Sequence, residues 1–160
     1  MGDMGHAVAR TLREGAHRVL AALEGRSERT RALAASANVE DVGNLPALVS
    51  EADLLLSIMP PAEATGFAAL TASAMRTTNA NPVFLDCNAI APTTTRAIGQ
   101  AIEAAGGVFV DGGIIGAPPG RRTPARLYVS GPDAAPLESL SRPDLLIRNL
   151  GPELGTASGI

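Results

Sequence analysis

Apolar positions along the chain form short, nearly unbroken runs, separated by stretches in which they recur every three or four residues. Leu54–Met59 and Val83–Cys87 have the pattern of strands buried on both faces. Val19–Leu23, Val108–Val110, Leu127–Ser130 and Leu145–Ile147 are shorter runs of strand length, and Val39–Val42 is a further candidate. Between them the spacing predicts helices over Met4–Glu14, closed by Gly15, from Glu28 to about Ala37 behind a Ser27 cap, and over Leu45–Glu51 and Ala62–Met75. Pro92 opens another, whose apolar face is Ala97, Ile98, Ala101, Ile102 and Ala105 and which Gly106-Gly107 ends. An acidic, proline-marked helical segment separates the last two strands. Asp111-Gly112-Gly113 is expected to close the strand before it, residues 114–124 to be a loop, and residues 151–160, with little to bury, to be loose. Strands alternating with helices predict an α/β fold, a Rossmann-type doubly wound and mostly parallel sheet.

Composition narrows the field. The 160 residues, 46% of them hydrophobic, suffice for one domain with a real core, and nothing marks a second. A net charge of −3 offers no basic face for nucleic acid, and no window approaches the apolar length of a membrane span. With no signal-peptide pattern the cytoplasm is the default. Every basic residue is arginine, so chemistry that needs a lysine cannot come from this polypeptide. Cys87, the single cysteine, sits in an apolar run and reads as a core residue; no metal-ligand spacing is present. His6 and His17 have no partners at ligand or triad spacing and are expected at the surface.

The opening stretch carries the candidate chemistry. Gly2 and Gly5 run straight into the first helix, as in the second half of the G-x-G-x-x-G turn, where backbone N–H groups at a helix start approach a pyrophosphate. The first glycine of that turn, and the strand that leads into it, would precede Met1. That strand belongs at the centre of the sheet, so the chain alone is expected to be marginally stable, or its first strand to lie upstream of a miscalled start.

Taken in order, Gly2-x-x-Gly5, Leu56-Ser57-Ile58-Met59-Pro60-Pro61, Phe84-Leu85-Asp86-Cys87-Asn88-Ala89-Ile90-Ala91-Pro92, Gly107-Val108-Phe109-Val110-Asp111 and Gly151-Pro152-x-x-Gly155 resemble the β-hydroxyacid dehydrogenases. The likeness is to the 6-phosphogluconate-dehydrogenase-like NAD(P)-binding domain and covers nearly the whole chain. The runs Asp-Gly-Gly-Ile-Ile-Gly and Leu-Tyr-Val-Ser-Gly-Pro set it apart from the hydroxyisobutyrate and phosphogluconate enzymes. The resemblance implies that Gly2, Asp3, Met4 and Gly5 hold a pyrophosphate, that Met59, Pro60 and Pro61 line the adenosine and nicotinamide ribose, and that Asn88 lies near the nicotinamide. Asn88 could equally close a turn, and Pro60-Pro61 could simply stop a strand. At the end of the second strand, Glu24 suits the ribose 2′-hydroxyl of NAD and Arg26-Ser27 the 2′-phosphate of NADP; the Arg-Ser pair favours NADP, with NAD as the alternative. Ser27 as a plain helix cap is the competing reading.

Departures from the family matter as much. Where relatives carry Ser-Gly-Gly to grip a substrate carboxylate, this chain has Ile115-Gly116-Ala117, and Arg121 or Arg122 would have to supply the anion contact. The family's proton-donating lysine lies on a helix beyond the last residue, as does the helical domain that closes the substrate pocket and makes the homodimer. The expected function is hydride transfer between NADP(H) and a hydroxy acid or related carbonyl compound, with the chain alone inactive. The alternative class is a non-catalytic nucleotide-binding or assembly module. A ketopantoate- or pyrroline-carboxylate-type reductase shares the opening turn but leaves the proline loop after Asp111 unexplained. Asp86 and Asp111 end buried strands and are expected to cap turns.

Overall fold

A computed structural model describes residues 2–160. Helix α1 spans Asp3–Glu14, strand β1 Leu20–Ala21, α2 Glu28–Ser36, β2 Glu40–Asp41, α3 Leu45–Glu51 and β3 Leu54–Ser57. Helix α4 follows at Pro61–Thr78, β4 at Val83–Asp86, α5 at Pro92–Ala104 and β5 at Val108–Ile115. Strand β6 is Ala125–Ser130, a 3-10 helix runs over Ala135–Leu140, and β7 is Leu145–Asn149. The local causes are those visible in the chain: Ser27 and Asn44 side chains accept from the N–H groups of Thr30 and Ala47 to start α2 and α3, and Asn79, at φ 55°, ends α4 in the left-handed region.

β3, β4, β5, β6 and β7 lie side by side in one sheet, parallel except that β6 runs antiparallel to β5. β1 and β2 form a separate parallel pair. On one face, Val8 and Leu12 of α1 pack on Leu85, Val110, Leu127 and Ile147; on the other, Ala64, Ala68, Ala72 and Met75 of α4 and Ile98 and Ile102 of α5 cover Phe84 and Phe109. Those two rings stack with centroids 6.2 Å apart. Cys87 is buried on the first of these faces, as its run implied.

Between β1 and β3 the sheet is interrupted. The carbonyls of Val19 and Ala21 accept from Glu40 and Val42, and those of Asp53 and Ser57 accept from Val83 and Cys87. Because successive residues of a strand face opposite ways, the N–H and C=O groups of Leu20, Ala22, Leu54, Leu56 and Ile58 turn into the gap. Its walls are apolar, with Val8, Leu12, Val19, Leu137 and Leu140 among them, and with its mouth it makes a cavity of about 1650 Å³. At the strands' amino ends Arg18 spans it, bonding Glu40 and, at 3.0 Å, Glu51. These groups are half exposed, so water and salt weaken the bridge.

Several details depart from the sequence reading. β5 does not stop at Val110 but continues through Gly112 and Gly113 to Ile115. The glycines are there because backbone passes over them: a Cβ on Gly113 would meet the Ala157 carbonyl oxygen at 2.5 Å, and one on Gly112 the Asp86 carbonyl oxygen at 2.8 Å. These glycines mark close approach, not a strand end. The tail is not loose either. Ala157 and Ser158 are buried, and the N–H groups of Gly155, Ala157 and Ser158 all donate to Asp111 Oδ2. The histidines are half-buried rather than fully at the surface: His6 Nε2 lies 3.1 Å from the Ser36 hydroxyl and His17 Nε2 3.2 Å from Arg142.

Two outcomes are expected. Gly113→Ala should cost about 1–3 kcal/mol in a urea melt, as overpacking against fixed backbone does, and should speed amide exchange at Ala157 and Ser158. The open gap should make the isolated chain bind an apolar dye and melt below about 60 °C. An apolar strand added ahead of Gly2 should abolish the dye signal, since burying about four apolar side chains contributes on the order of 6–12 kcal/mol, close to a whole domain's net stability of about 5–15.

Candidate functional site

In a parallel sheet every strand delivers its carboxyl end to the same edge, and ligands bind there where the strand order reverses. Here the reversal falls at the gap: β1 and β2 lead away on one side, β3 and its successors on the other. Helix α1 starts at that point. Gly2 is its cap, with φ −95° and ψ −175°, and among the described residues no side chain caps the N–H groups of the first turn. A Cβ on Gly2 would meet nothing within 4 Å, so the space over this backbone is open. Asp3 adds a negative charge, but its carboxylate turns to Arg29 of α2 at 3.1 Å. Both groups are well exposed, so the pair orients the side chains more than it stabilises them.

Gly2, Asp3, Met4 and Gly5 line the mouth of the cavity together with Glu24, Arg26, Met59 and Pro60. The structure thus gathers most of the residues expected to bind the cofactor from three separate stretches. Arg26 is exposed beside Glu24 on the turn after β1, and that turn is braced from beneath: Arg31 donates to the carbonyls of Leu23 at 2.6 Å and Arg26 at 3.4 Å. Ser27 is occupied as the α2 cap, its Oγ accepting from Thr30 N–H at 3.3 Å, and does not line the cavity. Pro61 is the first residue of α4 and lies just outside the lining.

Asn88 is 3% exposed and works inside the chain. Its Oδ1 accepts from Met59 N–H at 2.8 Å, its Nδ2 donates to Ser57 Oγ at 2.9 Å, and its own N–H donates to Asp86 Oδ1 at 2.8 Å. The side chain therefore pins the tip of β3 to the tip of β4 and sets where Met59 and Pro60 stand. Asp86 caps that turn, as expected for a strand-ending aspartate. Desolvation pushes its carboxyl up to about 6, with Asp111 adding repulsion against the help of Asn88. Burial, then the two aspartates, raise the Cys87 thiol well above its ordinary value, which leaves it a poor nucleophile.

The residues expected to face substrate stand apart from this cavity. Ile115 ends β5, exposed beyond the edge at which β4 stops, and Gly116 follows at φ 110°. Arg121 borders a second, shallow hollow of about 590 Å³ with Ala117, Pro118, Arg122 and Thr123. Arg10 of α1 holds that loop through the Pro119 carbonyl at 3.3 Å. Sequence reasoning did not find the turn Gly43-Asn44-Leu45 after β2, which also reaches the cavity mouth, nor Arg29. Glu24 N–H pairing with the Gly43 carbonyl, Val42 N–H with the Ala21 carbonyl and Leu23 N–H with Asp41 Oδ1 bring that turn there. Among the described residues no cluster of His, Cys, Asp and Glu could hold a metal ion, and no helix is long and apolar enough to cross a membrane.

Comparison with known proteins places the fold. A solved structure of a conserved protein, described as structurally similar to 3-hydroxyacid dehydrogenases, superposes with a TM-score of 0.82 at 31% identity, over 98% of this chain and 57% of that one. Mycobacterium tuberculosis 3-hydroxyisobutyrate dehydrogenase gives a TM-score of 0.78 at 21% identity, over 98% and 54%. An imine reductase variant from Myxococcus stipitatus, in complex with NAD+, gives 0.80 at 16%, over 98% and 54%. This chain thus spans little more than half the length of these proteins. No curated protein matches. The sequence profile of the NAD binding domain of 6-phosphogluconate dehydrogenase matches residues 1–141, and the chain belongs to that family of NAD-binding domains.

Proposed function

We propose that this chain is the cofactor-holding part of an oxidoreductase that moves hydride between NADP(H) and a hydroxy acid or related carbonyl compound. The observation that carries the reading is the uncapped start of α1 at Gly2–Gly5, open to the same cavity as Arg26, Met59 and Pro60. Free N–H groups and the positive end of a helix suit a pyrophosphate. The nicotinamide supplies the hydride chemistry; the chain binds, orients and shields it. Gly2, Asp3, Met4 and Gly5 hold the phosphates through backbone N–H groups. Met59, Pro60 and Pro61 line the ribose and base, kept in place by Asn88. Arg26, with Ser27 shaping its turn, meets a 2′-phosphate, and Glu24 beside it is the residue that would accept NAD instead.

Ile115, Gly116 and Arg121 then face the substrate, with Arg121 supplying a charge for its anionic group. The chain contains no lysine, so a lysine proton donor comes from sequence outside these residues, and the chain alone is inactive. A helical region beyond residue 160 would complete the pocket and form a homodimer. One extended segment lying parallel to β1 and β3 would fill the gap between them. The cytoplasm suits such an enzyme, whose partner is a small molecule rather than nucleic acid or membrane. A non-catalytic nucleotide-binding module is the second reading, and the absence of a lysine is what favours it.

Titration of the chain, extended at both ends, with NADPH and NADH tests the proposal: NADPH should bind more tightly, and equal, millimolar binding of both would defeat it. Arg26→Ala should weaken NADPH by about tenfold or more, as loss of a charge-assisted hydrogen bond does, and leave NADH nearly unchanged. Asn88→Ala should weaken both alike, by about fivefold or more, because it strands the Met59 N–H and frees the β3 turn.

A further inference from the structure

Four neighbouring strands carry a row of polar side chains on one face, level with their carboxyl ends. Ser57 is paired in register with Asp86, Asp86 with Asp111, and Asp111 with Ser130. All four are buried, none more than 1% exposed. Neighbours in register on adjacent strands stand about 4.8 Å apart with side chains on the same face. Two carboxyl groups are thus side by side in the interior, and no salt bridge reaches either among the described residues.

Hydrogen bonding divides each carboxyl in two. Asp111 Oδ2 accepts from Ser130 Oγ and from the N–H groups of Gly155, Ala157 and Ser158, while its Oδ1 has no partner. Asp86 Oδ1 accepts from Asn88 N–H, while its Oδ2 has no partner. An orphaned buried oxygen on each of two adjacent carboxyls is costly twice over when both are ionised, and is satisfied on both when one proton lies between them.

We propose that in weakly acidic solution Asp86 is the neutral acid, donating its Oδ2 proton to Oδ1 of Asp111, so that a single shared proton ties the Asn88 turn to the C-terminal tail. The Asp86 side of this bond fixes the turn that places Met59; the Asp111 side fixes residues 155–158. The other groups nearby leave Asp86 as the titrating group. Cys87 is the next residue, its side chain on the opposite face of the sheet. Arg96 of α5 reaches over the tail, 3.3 Å from where a Cβ on Gly155 would stand, and Thr95 and Ser158 meet through neutral hydroxyls 2.8 Å apart.

Asp86 binds its proton more tightly folded, at about 6, than at its ordinary 3.8. Its contribution is complete below that ordinary value and is lost as pH rises through about 6.

The test compares the 160-residue chain with Asp86→Asn, whose amide can donate to Asp111 without titrating. In urea melts from pH 4 to 8, the folding constant of the parent chain should fall relative to the variant by about a hundredfold, roughly tenfold for each step of one in pH between the unfolded and folded midpoints. Side-chain carboxyl NMR of the unaltered chain gives an independent reading: one carboxyl should titrate near 6, and the amide signals of Asn88, Gly155, Ala157 and Ser158 should move with the same midpoint. Parallel pH profiles for parent and variant, or tail amides that ignore that midpoint, would overturn the shared proton.

Discussion

Backbone and side-chain polar groups at the carboxyl edge of the sheet must find partners once the strands that carry them are buried, and most of the molecule's tertiary detail answers that requirement. Asp111 is the largest single answer. Its carboxylate takes the Ser130 hydroxyl and the N–H groups of the tail, converting a segment of small polar residues into buried structure. Asn88 is the second, satisfying Ser57, Met59 and Asp86 at once. Asp86 Oδ2 and Asp111 Oδ1 are left without partners in the interior, and the first turn of α1 is left open to the cavity.

The same edge explains why the residues proposed to hold the cofactor converge although they lie far apart in the chain. β1 and β3 deliver Arg26 and Met59 to the mouth of one cavity because parallel strands end together, and α1 begins between them because the strand order reverses there. Arg31 and Asn88 then fix the two turns from inside. The mouth carries polar groups, whereas the gap behind it is apolar and bounded by unpaired strand edges. A dinucleotide suits the first and an extended peptide suits the second.

Much of this is legible in the residues. The apolar runs Leu54–Met59 and Val83–Cys87 become the paired strands β3 and β4, because continuous apolar sequence has few other places to go in an α/β chain. The Ser27 and Asn44 caps, the Pro92 start and the alanine face of α4 are local chemistry that the chain itself displays. Gly112 and Gly113 mislead because a glycine that ends a strand and a glycine over which another segment passes look the same in one dimension. The tail misleads for a related reason: its partner, Asp111, lies more than forty residues away.

The sequence by itself determined the order of strands and helices, the single buried cysteine, the lack of lysine and the glycine turn at the start of α1, since each depends on residue type and short-range spacing. Only the tertiary structure decided that β6 runs antiparallel to β5, that β5 continues under the tail, that Asn88 is a brace, and that Asp86 and Asp111 are neighbours. Those outcomes depend on strand register and on which distant polar group is available to satisfy a buried one. Neither quantity is carried by any local stretch of the chain.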